Sequence, residues 1–375
     1  MERVVSTPRP DWVKRVESVG MHYHSLTDGP YWDERAYYRF SAVDVDGLER
    51  ASYALDKMCL EAVEHIVHNR LFEPFGIPQA FHDFVARSWE TDERTIYGRF
   101  DLAYDGRGEP QLLEYNADTP TALLEAAVVQ WFWMKDCHPD ADQFNSIHDR
   151  LLEAWAALGA ENPGRVAFIS LAGNVEEYMT VNYLRDAAMQ AGLDTAYLAV
   201  EEVGWNAARR AFVDLQEQPM PTIFKLYPWE WMLADEFAAH LPESTTRWFE
   251  APWKMLLSNK AILPVLSELF PASPYLLRAG FEPPGPRYVR KPIQGREGAN
   301  ITLVIDGRTE VETDGPYGAQ PCIYQEWKPL AHFDGNYPVV GSWMVNGYAC
   351  GVGIREDRGP VTQNTSRFVP HILQD

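Results

Sequence analysis

The chain has few cysteines, no long hydrophobic run and no recognisable targeting segment. Its four cysteines among 375 residues lack CxxC spacing and form no pattern of a disulfide framework. No apolar run approaches the roughly 20 residues that a membrane helix needs, and the N-terminus lacks the apolar stretch of a signal peptide. These absences predict a protein of the reducing cytoplasm without a membrane partner.

Basic residues are also few compared with acidic ones. The chain has 33 lysines and arginines against 54 aspartates and glutamates, a formal charge of −21. Nucleic acid and anionic membranes are therefore not expected as partners because both would be repelled, whereas small cations would be attracted. With 46% hydrophobic residues and a length beyond that of one typical domain, the chain has material for two or three packed lobes.

Two segments, residues 97–102 and 111–116, have the alternation typical of β-strands, and the turn between them is rich in hairpin-forming residues. Their alternating polar residues are Arg99, Asp101, Glu114 and Asn116. A hairpin would bring all four side chains together, and two carboxylates with an amide carbonyl are ligands that Mg²⁺ prefers. The alternative from spacing alone is a solvent-facing hairpin with one surface salt bridge.

The segment after this hairpin predicts a helix. Thr119 is placed as its N-cap and Pro120 as its first residue, ahead of the apolar stretch 122–134. The N-terminus of such a helix, with the hydroxyls of Thr119 and Thr121, would form an anion site beside the predicted metal.

The rest of the chain divides into two patterns. Helical spacing predicts a core helix over residues 48–66, with Asp46 and Glu49 as its capping box. The rhythm of a βαβ unit with a parallel sheet follows at 165–171, 176–190, 195–200 and 222–226. After a helix at 259–270, antiparallel strands are predicted at 287–291, 300–305, 322–327, 339–345 and 348–354.

Several residues of the last third suit a nucleotide site. Lys291 precedes a loop that contains two glycines and Arg296, and such a loop can bind a polyphosphate. An ordinary glycine-containing hairpin loop with an unrelated basic residue has the same pattern and is more common. Lys260 lies at a predicted helix start, where its charge opposes the dipole. Residues 325–328 alternate between polar and apolar side chains, as in a segment that binds adenine or in an ordinary edge strand. Arg355 could contact a phosphate or be a surface residue.

Taken together, these segments resemble the synthetase domain of glutathionylspermidine synthase and, over nearly the whole chain, its shorter stand-alone relatives described as acid–amine ligases. The matching segments are 99–101, 114–118, 259–264, 291–293 with Gly295, Arg296 and Gly298, and Arg355. The resemblance implies an α/β ATP-grasp-like fold of atypical chain order with a Rossmann-like βαβ lobe.

The resemblance also implies roles for individual residues. Asp101, Glu114 and Asn116 would hold two Mg²⁺ ions, and Arg99 and Arg355 would stabilise the transferring phosphoryl group. The substrate would be contacted by Arg99, Thr119 and the acidic pair Glu176 and Glu177. ATP would be bound by Lys260, Lys291, Arg296, Glu297, Gly298, Gln325, Glu326, Trp327 and Lys328.

Three regions are expected on this basis. Residues 1–160 would form a helical region with the metal-binding hairpin, 161–250 the βαβ substrate-side lobe, and 251–375 the nucleotide-binding part. No additional amidase domain is expected, so this chain would not hydrolyse its product. The segment 225–231 lacks a threonine or serine where the family has a threonine that contacts glutathione, which argues against glutathione as the acid.

The function predicted from these features is an ATP-dependent ligase that joins a small carboxylic acid to an amine through an acyl phosphate. The excess acidic charge and the pair Glu176 and Glu177 suggest a polyamine as the amine. A small-molecule phosphotransferase using the same nucleotide site, and a non-catalytic nucleotide-binding protein, are the alternatives. A phosphotransferase would leave the phosphate on its product. The intact set of predicted metal ligands argues against a non-catalytic protein.

Overall fold

The structure, a computed structural model, describes residues 1–27, 29–161 and 164–374. Within them the fold is mixed α/β, as predicted, and is built around a five-stranded antiparallel sheet, here called the central sheet. Its strands, in spatial order, are Arg367–Val369, Tyr348–Asp357, Tyr337–Val345, Tyr97–Ala103 and Gln111–Asn116. The two predicted hairpins, far apart in the chain, therefore lie side by side in one sheet.

Both faces of the central sheet are buried. Phe100 and Leu102 pack into one core with the helix Ala42–His68, whereas Tyr97 and Trp343 pack into another with the helix Ile147–Glu161. Because side chains alternate along a strand, Arg99 and Asp101 lie on the same face as Tyr97. The polar site is therefore built on a rigid sheet rather than on a flexible loop.

A four-stranded parallel sheet confirms the predicted βαβ unit. Its strands, in spatial order, are Arg247–Phe249, Thr222–Leu226, Val166–Ser170 and Thr195–Ala199. The connecting helix Val175–Gln190 is capped by Asn174, whose side chain accepts a hydrogen bond from the amide of Glu177. The cap fixes the acidic start of the helix at the edge of this sheet.

A third sheet, here called the outer sheet, comes from the last third of the chain. Its strands, in spatial order, are Ala279–Gly280, Cys322–Glu326, Arg287–Pro292, Thr302–Ile305 and Arg308–Glu312. The strand predicted from residue 300 starts at Thr302 because Asn300 has a left-handed φ of 54° and its side chain accepts a hydrogen bond from the amide of Tyr317. The strand Arg308–Glu312 was not predicted.

Smaller elements complete the fold. Strands of the smaller sheets are Glu2–Val5, Ala36–Phe40 and His371–Leu373, with the pairs Ser25–Leu26 and Gly29–Pro30, and Gly204–Asn206 and Ala211–Val213. The remaining α-helices are Trp12–Ser18, His82–Glu90, Gln130–Cys137, Trp229–Met232, Met255–Ser258 and Ile262–Leu269. Short 3₁₀ turns are Glu73–Phe75, Gln79–Phe81, Val200–Glu202, Ala238–Glu243 and Pro252–Lys254.

Two helix starts differ from prediction. The long helix begins after Ser41, whose hydroxyl and the carboxylate of Asp44 form the capping box that had been predicted at Asp46 and Glu49. The helix expected from residue 259 begins at Ile262, because the amide of Lys260 donates to the carbonyl of Ile293 at 2.8 Å instead of continuing a helix. Lys260 therefore lies in a turn before the helix.

The predicted N-cap at Thr119 is also wrong. Helical structure starts at residue 123, as a π-helix over Glu125–Val129 that leads into Gln130–Cys137. Ala122 has a left-handed φ of 64°, so the chain turns sharply between Pro120 and the helix. The hydroxyl of Thr119 instead accepts a hydrogen bond from Arg296 at 2.8 Å.

All four cysteines are free thiols, as predicted. Every helix in residues 1–27, 29–161 and 164–374 is too short or too polar to cross a bilayer.

Candidate active site

Four polar side chains converge on the hairpin as the alternation predicted. Arg99 is paired with Asn116, and Asp101 with Glu114, across the two strands. The side-chain amide nitrogen of Asn116 lies 3.0 Å from an oxygen of Asp101 and 3.4 Å from one of Glu114. Arg99 donates two hydrogen bonds to the carboxylate of Asp101, of 2.6 and 3.0 Å.

Arg99 is held at a fixed position by its surroundings. Its remaining terminal nitrogen donates to the carbonyl of Thr121 at 2.6 Å, and its guanidinium lies 5.5 Å from the ring of Trp343. A Cβ placed on Gly341 would lie 2.7 Å from the Cδ atom of Arg99. Glycine at this strand position therefore leaves room for the arginine stem.

Two lysines lie beside these carboxylates. The ammonium of Lys260 is 2.7 Å from Glu114 and also donates to the carbonyl of Gly295 at 2.6 Å. Burial raises the pKa of Glu114, but Lys260 and Lys291 outweigh it and bring that pKa down to about 2. Burial lowers the pKa of Lys291 to about 8. Three buried cations around two carboxylates leave a surplus of positive charge that suits a polyphosphate.

The donor set fits Mg²⁺. Two carboxyl groups and one amide group lie within hydrogen-bond distance of each other, and hard oxygen ligands of this number leave room for water and phosphate. Within the described residues no cluster of three or more histidine, cysteine, aspartate or glutamate side chains is placed to hold a metal.

A cavity of about 120 Å³ opens beside the hairpin, and we call it the nucleotide cleft. Its lining includes Asp101, Glu114, Lys260, Lys291, Gly298, Gln325, Glu326, Trp327, Lys328 and Thr362. Gln325 is buried and accepts a hydrogen bond from Lys291 at 2.7 Å, so it positions the lysine. The side chain of Glu326 pairs with Arg278 on the surface at 3.0 Å.

A second cavity, of about 220 Å³, adjoins the first, and we call it the acid cavity. The two share Lys260 and Gly295, so the loop after Lys291 separates them. The acid cavity is lined by polar side chains that include Asn116, Asp118, Thr119, Glu230, Asn259 and Arg296. The sharing of Lys260 places the ammonium at the junction of the two spaces.

The loop assigned to the triphosphate is ordered by specific contacts. Arg296 forms an ion pair with Glu230 at 2.7 Å and bonds Thr119, so its side chain faces the acid cavity. Gly298 has a left-handed φ of 69°, and a Cβ there would lie 2.4 Å from the carbonyl of Thr362. Glu297 also has a positive φ, and burial raises the pKa of its carboxyl.

Arg355 and Arg99 lie on the same face of the central sheet. A small cavity of about 20 Å³ is lined by both arginines together with Asp101, Ala122 and Thr362. One terminal nitrogen of Arg355 donates to the carbonyl of Gln363 at 2.5 Å.

The acidic pair at the start of the helix Val175–Gln190 lies near this region. Burial, with a smaller contribution from the charge of Glu176, raises the pKa of Glu177 to about 7, although the amide of Leu171 and the charge of Arg296 act to lower it. Glu176 also interacts electrostatically with Glu125 and Glu297.

Two important residues were missed by the sequence reasoning. Asp118 is fully buried, 2.5 Å from the ammonium of Lys225, and accepts a hydrogen bond from the amide of Trp229 at 2.9 Å. The pair fixes the turn between the hairpin and the βαβ lobe. The second residue that the sequence reasoning missed is Glu230, which forms an ion pair with Arg296. Asp118 had a signal, since it ends a matching segment, but its partner lies 107 residues away.

The sequence is similar to those of several known proteins. The family described as "Glutathionylspermidine synthase preATP-grasp" matches residues 3–374. A Haemophilus influenzae protein named "Putative acid–amine ligase" is 40% identical over 392 residues and covers 99% of each chain.

Two longer relatives match in part. A trypanothione synthetase of Crithidia fasciculata is 32% identical over 344 residues, which is 82% of this chain and 52% of that protein. The bifunctional glutathionylspermidine synthetase/amidase of Escherichia coli is 29% identical over 373 residues, which is 91% of this chain and 60% of that protein. The chain therefore spans only half to three fifths of these two relatives.

Proposed function

We propose that the chain, which belongs to the glutathionylspermidine synthase family of ATP-dependent carbon–nitrogen ligases, joins a small carboxylic acid to an amine. The products are an amide, ADP and phosphate, and the acid is activated as an acyl phosphate. One observation supports this best: two cavities of different lining meet at Lys260, beside the hairpin carboxylates. A ligase needs a nucleotide and a second substrate brought together in this way.

The nucleotide cleft is proposed to hold ATP in an ATP-grasp-like arrangement. Asp101, Glu114 and Asn116 would hold one or two Mg²⁺ ions. When bound, these ions would neutralise charge on the phosphates. Lys260 and Lys291 would contact the phosphates, and Lys291 would keep its hydrogen bond to Gln325 while doing so. The backbone around residues 325–328 would contact the adenine, because the side chains of Gln325 and Glu326 are already committed to Lys291 and Arg278.

The acid cavity is proposed to bind the carboxylic acid. Arg296 and Thr119 line it and offer a cation and a hydroxyl to an anionic group. Arg99 and Arg355 meet next to Asp101, where they would stabilise the charge that develops as the phosphoryl group moves from ATP to the acid. Catalysis would then consist mainly of positioning and charge neutralisation.

The amine is proposed to enter past Glu176 and Glu177, whose carboxylates favour a cation, with a polyamine as the first class to test. An ADP-release screen over paired acids and amines tests the function. We expect ADP release to require one acid and one amine together, with an amide as product. ADP release with phosphate retained on the product and no dependence on amine would contradict the proposal and favour a phosphotransferase.

A further inference from the structure

Glu125 is a buried carboxyl for which the site described so far has no use. Glu125 is only 2% exposed, and its Oε1 atom accepts no hydrogen bond from the described residues. Buried carboxyl oxygens are normally paired, so an unpaired one calls for an explanation. Glu125 is also the first residue of the π-helix Glu125–Val129, and short π-helical turns within α-helices are frequent at functional sites.

The surroundings connect Glu125 to the phosphoryl-transfer site. A Cβ on Gly353 would lie 3.4 Å from the Cβ of Ala126, so the π-helix packs closely on the strand Tyr348–Asp357. Arg355 follows two residues later on the same face of that strand. The Nε atom of Arg355 is also buried without a partner. An unpaired acceptor and an unpaired donor therefore lie close enough to interact electrostatically, beside the strand Tyr348–Asp357.

The charged and titratable groups that interact with Glu125 include Tyr23, Tyr31, Glu176 and Arg355, and the hydroxyl of Tyr31 hydrogen-bonds its carboxyl. Burial raises the pKa of the Glu125 carboxyl to about 7, and the charge of Glu176 acts in the same direction. Its own amide, Tyr31 and Arg355 act against this shift. A group with a pKa near the working pH accepts and releases a proton readily, which is the property required of a general base.

We propose that Glu125 is the proton acceptor for the amine substrate, an assignment that rests on the proposed ligase function. An alkylamine is an ammonium ion at neutral pH and has no lone pair for attack. The Glu125 carboxylate takes one proton from the ammonium and becomes a carboxylic acid. The nitrogen lone pair then forms the C–N bond, the C–O bond to phosphate breaks, and phosphate leaves with that electron pair. The second proton leaves the nitrogen to phosphate, and Glu125 releases its proton to water.

The neighbouring carboxylates fit this role less well. The Oε2 atom of Glu177 accepts a hydrogen bond from the amide of Leu171 at 3.4 Å, and both Glu176 and Glu177 are only partly buried at the start of their helix. They are placed to attract a cation at the entrance. Glu125 is more deeply buried and interacts with Arg355.

The test compares two nucleophiles on the Glu125→Gln variant. Hydroxylamine is largely neutral at pH 7, attacks acyl phosphates directly and needs no base, so its hydroxamate reports the acyl phosphate alone. A primary alkylamine, spermidine first, needs a base. We expect Glu125→Gln to lower kcat for the alkylamine about 10²-fold or more and to leave hydroxamate formation within about twofold of wild type. Glu125→Asp keeps a carboxylate and should restore part of the alkylamine rate.

Each outcome has a distinct meaning. Equal losses with both nucleophiles, or no loss with either, would overturn the role of Glu125. Absence of hydroxamate from the wild type with every acid of the screen would instead overturn the proposed function. A measurement independent of substrate accompanies these. Infrared spectra of the wild type should show carboxylic acid absorption that disappears with an apparent pKa near 7, and Glu125→Gln should lose the part of it that comes from Glu125 and keep the part that comes from Glu177. An unchanged band in the variant would also overturn the assignment.

Discussion

At the scale of single residues, Arg99 is the side chain whose geometry is most closely determined. Two hydrogen bonds to Asp101, one to Thr121 and the space left by Gly341 fix its planar group. A lysine has one compact charge and is unable to reproduce this set of contacts. The shape of the guanidinium, in addition to its charge, is therefore expected to matter.

We predict that Arg99→Lys is almost as damaging as Arg99→Ala. Loss of one preorganised donor typically lowers kcat by about 10²–10³. The measurement is kcat per folded molecule, with the melting temperature determined on the same preparation. A variant that melts earlier but retains wild-type kcat would show that Arg99 serves only the structure.

Glu125 predicts a pH-dependent stability difference. Its folded pKa of about 7 lies above its ordinary 4.5, so the folded state binds the proton more tightly. The resulting destabilisation of the fold therefore grows as pH rises through this window and is complete above about pH 7. Glu125→Gln lacks this effect, so its stability relative to wild type should rise by about 2 kcal/mol between about pH 5.5 and about pH 8.5.

Denaturant unfolding at the two pH values measures this difference, with Glu125→Asp as the control that still titrates. A constant offset between Glu125→Gln and wild type would mean that the carboxyl is ionised throughout, which would contradict the elevated pKa.

At the scale of elements, the loop between the two cavities makes the clearest prediction. Gly298→Ala places a Cβ 2.4 Å from the carbonyl of Thr362 and must displace the loop, whereas Gly307→Ala meets open space at a similar positive φ of 80°. We expect Gly298→Ala to raise the KM for ATP and to abolish protection of Arg296 from trypsin by an ATP analogue with Mg²⁺. Gly307→Ala carries the same backbone strain without the clash and should behave as wild type.

If the analogue protects the wild type and Gly298→Ala to the same degree, the loop does not close over nucleotide. Cleavage that is insensitive to nucleotide even in the wild type would favour a static hairpin.

Elements that depend on local pattern were predictable from the sequence. Alternation over residues 97–102 and 111–116 gave the hairpin and its polar face, and the βαβ rhythm gave the parallel sheet. Prediction failed where a distant partner overrides a local preference. The N-cap expected at Thr119 is absent because Asp118 turns inward to Lys225 and Ala122 adopts a left-handed conformation. No local pattern reveals such a partner.

The same reason limits prediction of the site. The proposed metal ligands of the hairpin and the two lysines were singled out from the sequence because their residue types fit a known chemistry at a fixed spacing. Glu125 was missed because a single glutamate in an apolar stretch has no signal until the fold places Tyr31 and Arg355 around it. The pairing of Arg296 with Glu230 and of Glu326 with Arg278 likewise depends on tertiary packing.

At the scale of the whole molecule, the charge of −21 bears on the amine. A polycation would be steered to the protein, and salt screens such steering over distances of about 8–10 Å at physiological ionic strength. We expect a rise in ionic strength to increase the KM for a polyamine much more than the KM for ATP. Titration with sodium chloride measures both. Equal salt dependence would remove the support for a polycationic amine and leave the acidic surface as an aid to solubility.

The central claim is that the acid is activated by phosphoryl transfer before the amine attacks. The most direct test uses an acid from the ADP-release screen that carries ¹⁸O in both carboxylate oxygens. Because the C–O bond to phosphate breaks when the amide forms, the account predicts one ¹⁸O atom in each released phosphate and one in each amide. Phosphate without ¹⁸O, or label transferred to AMP, would contradict an acyl phosphate at this site.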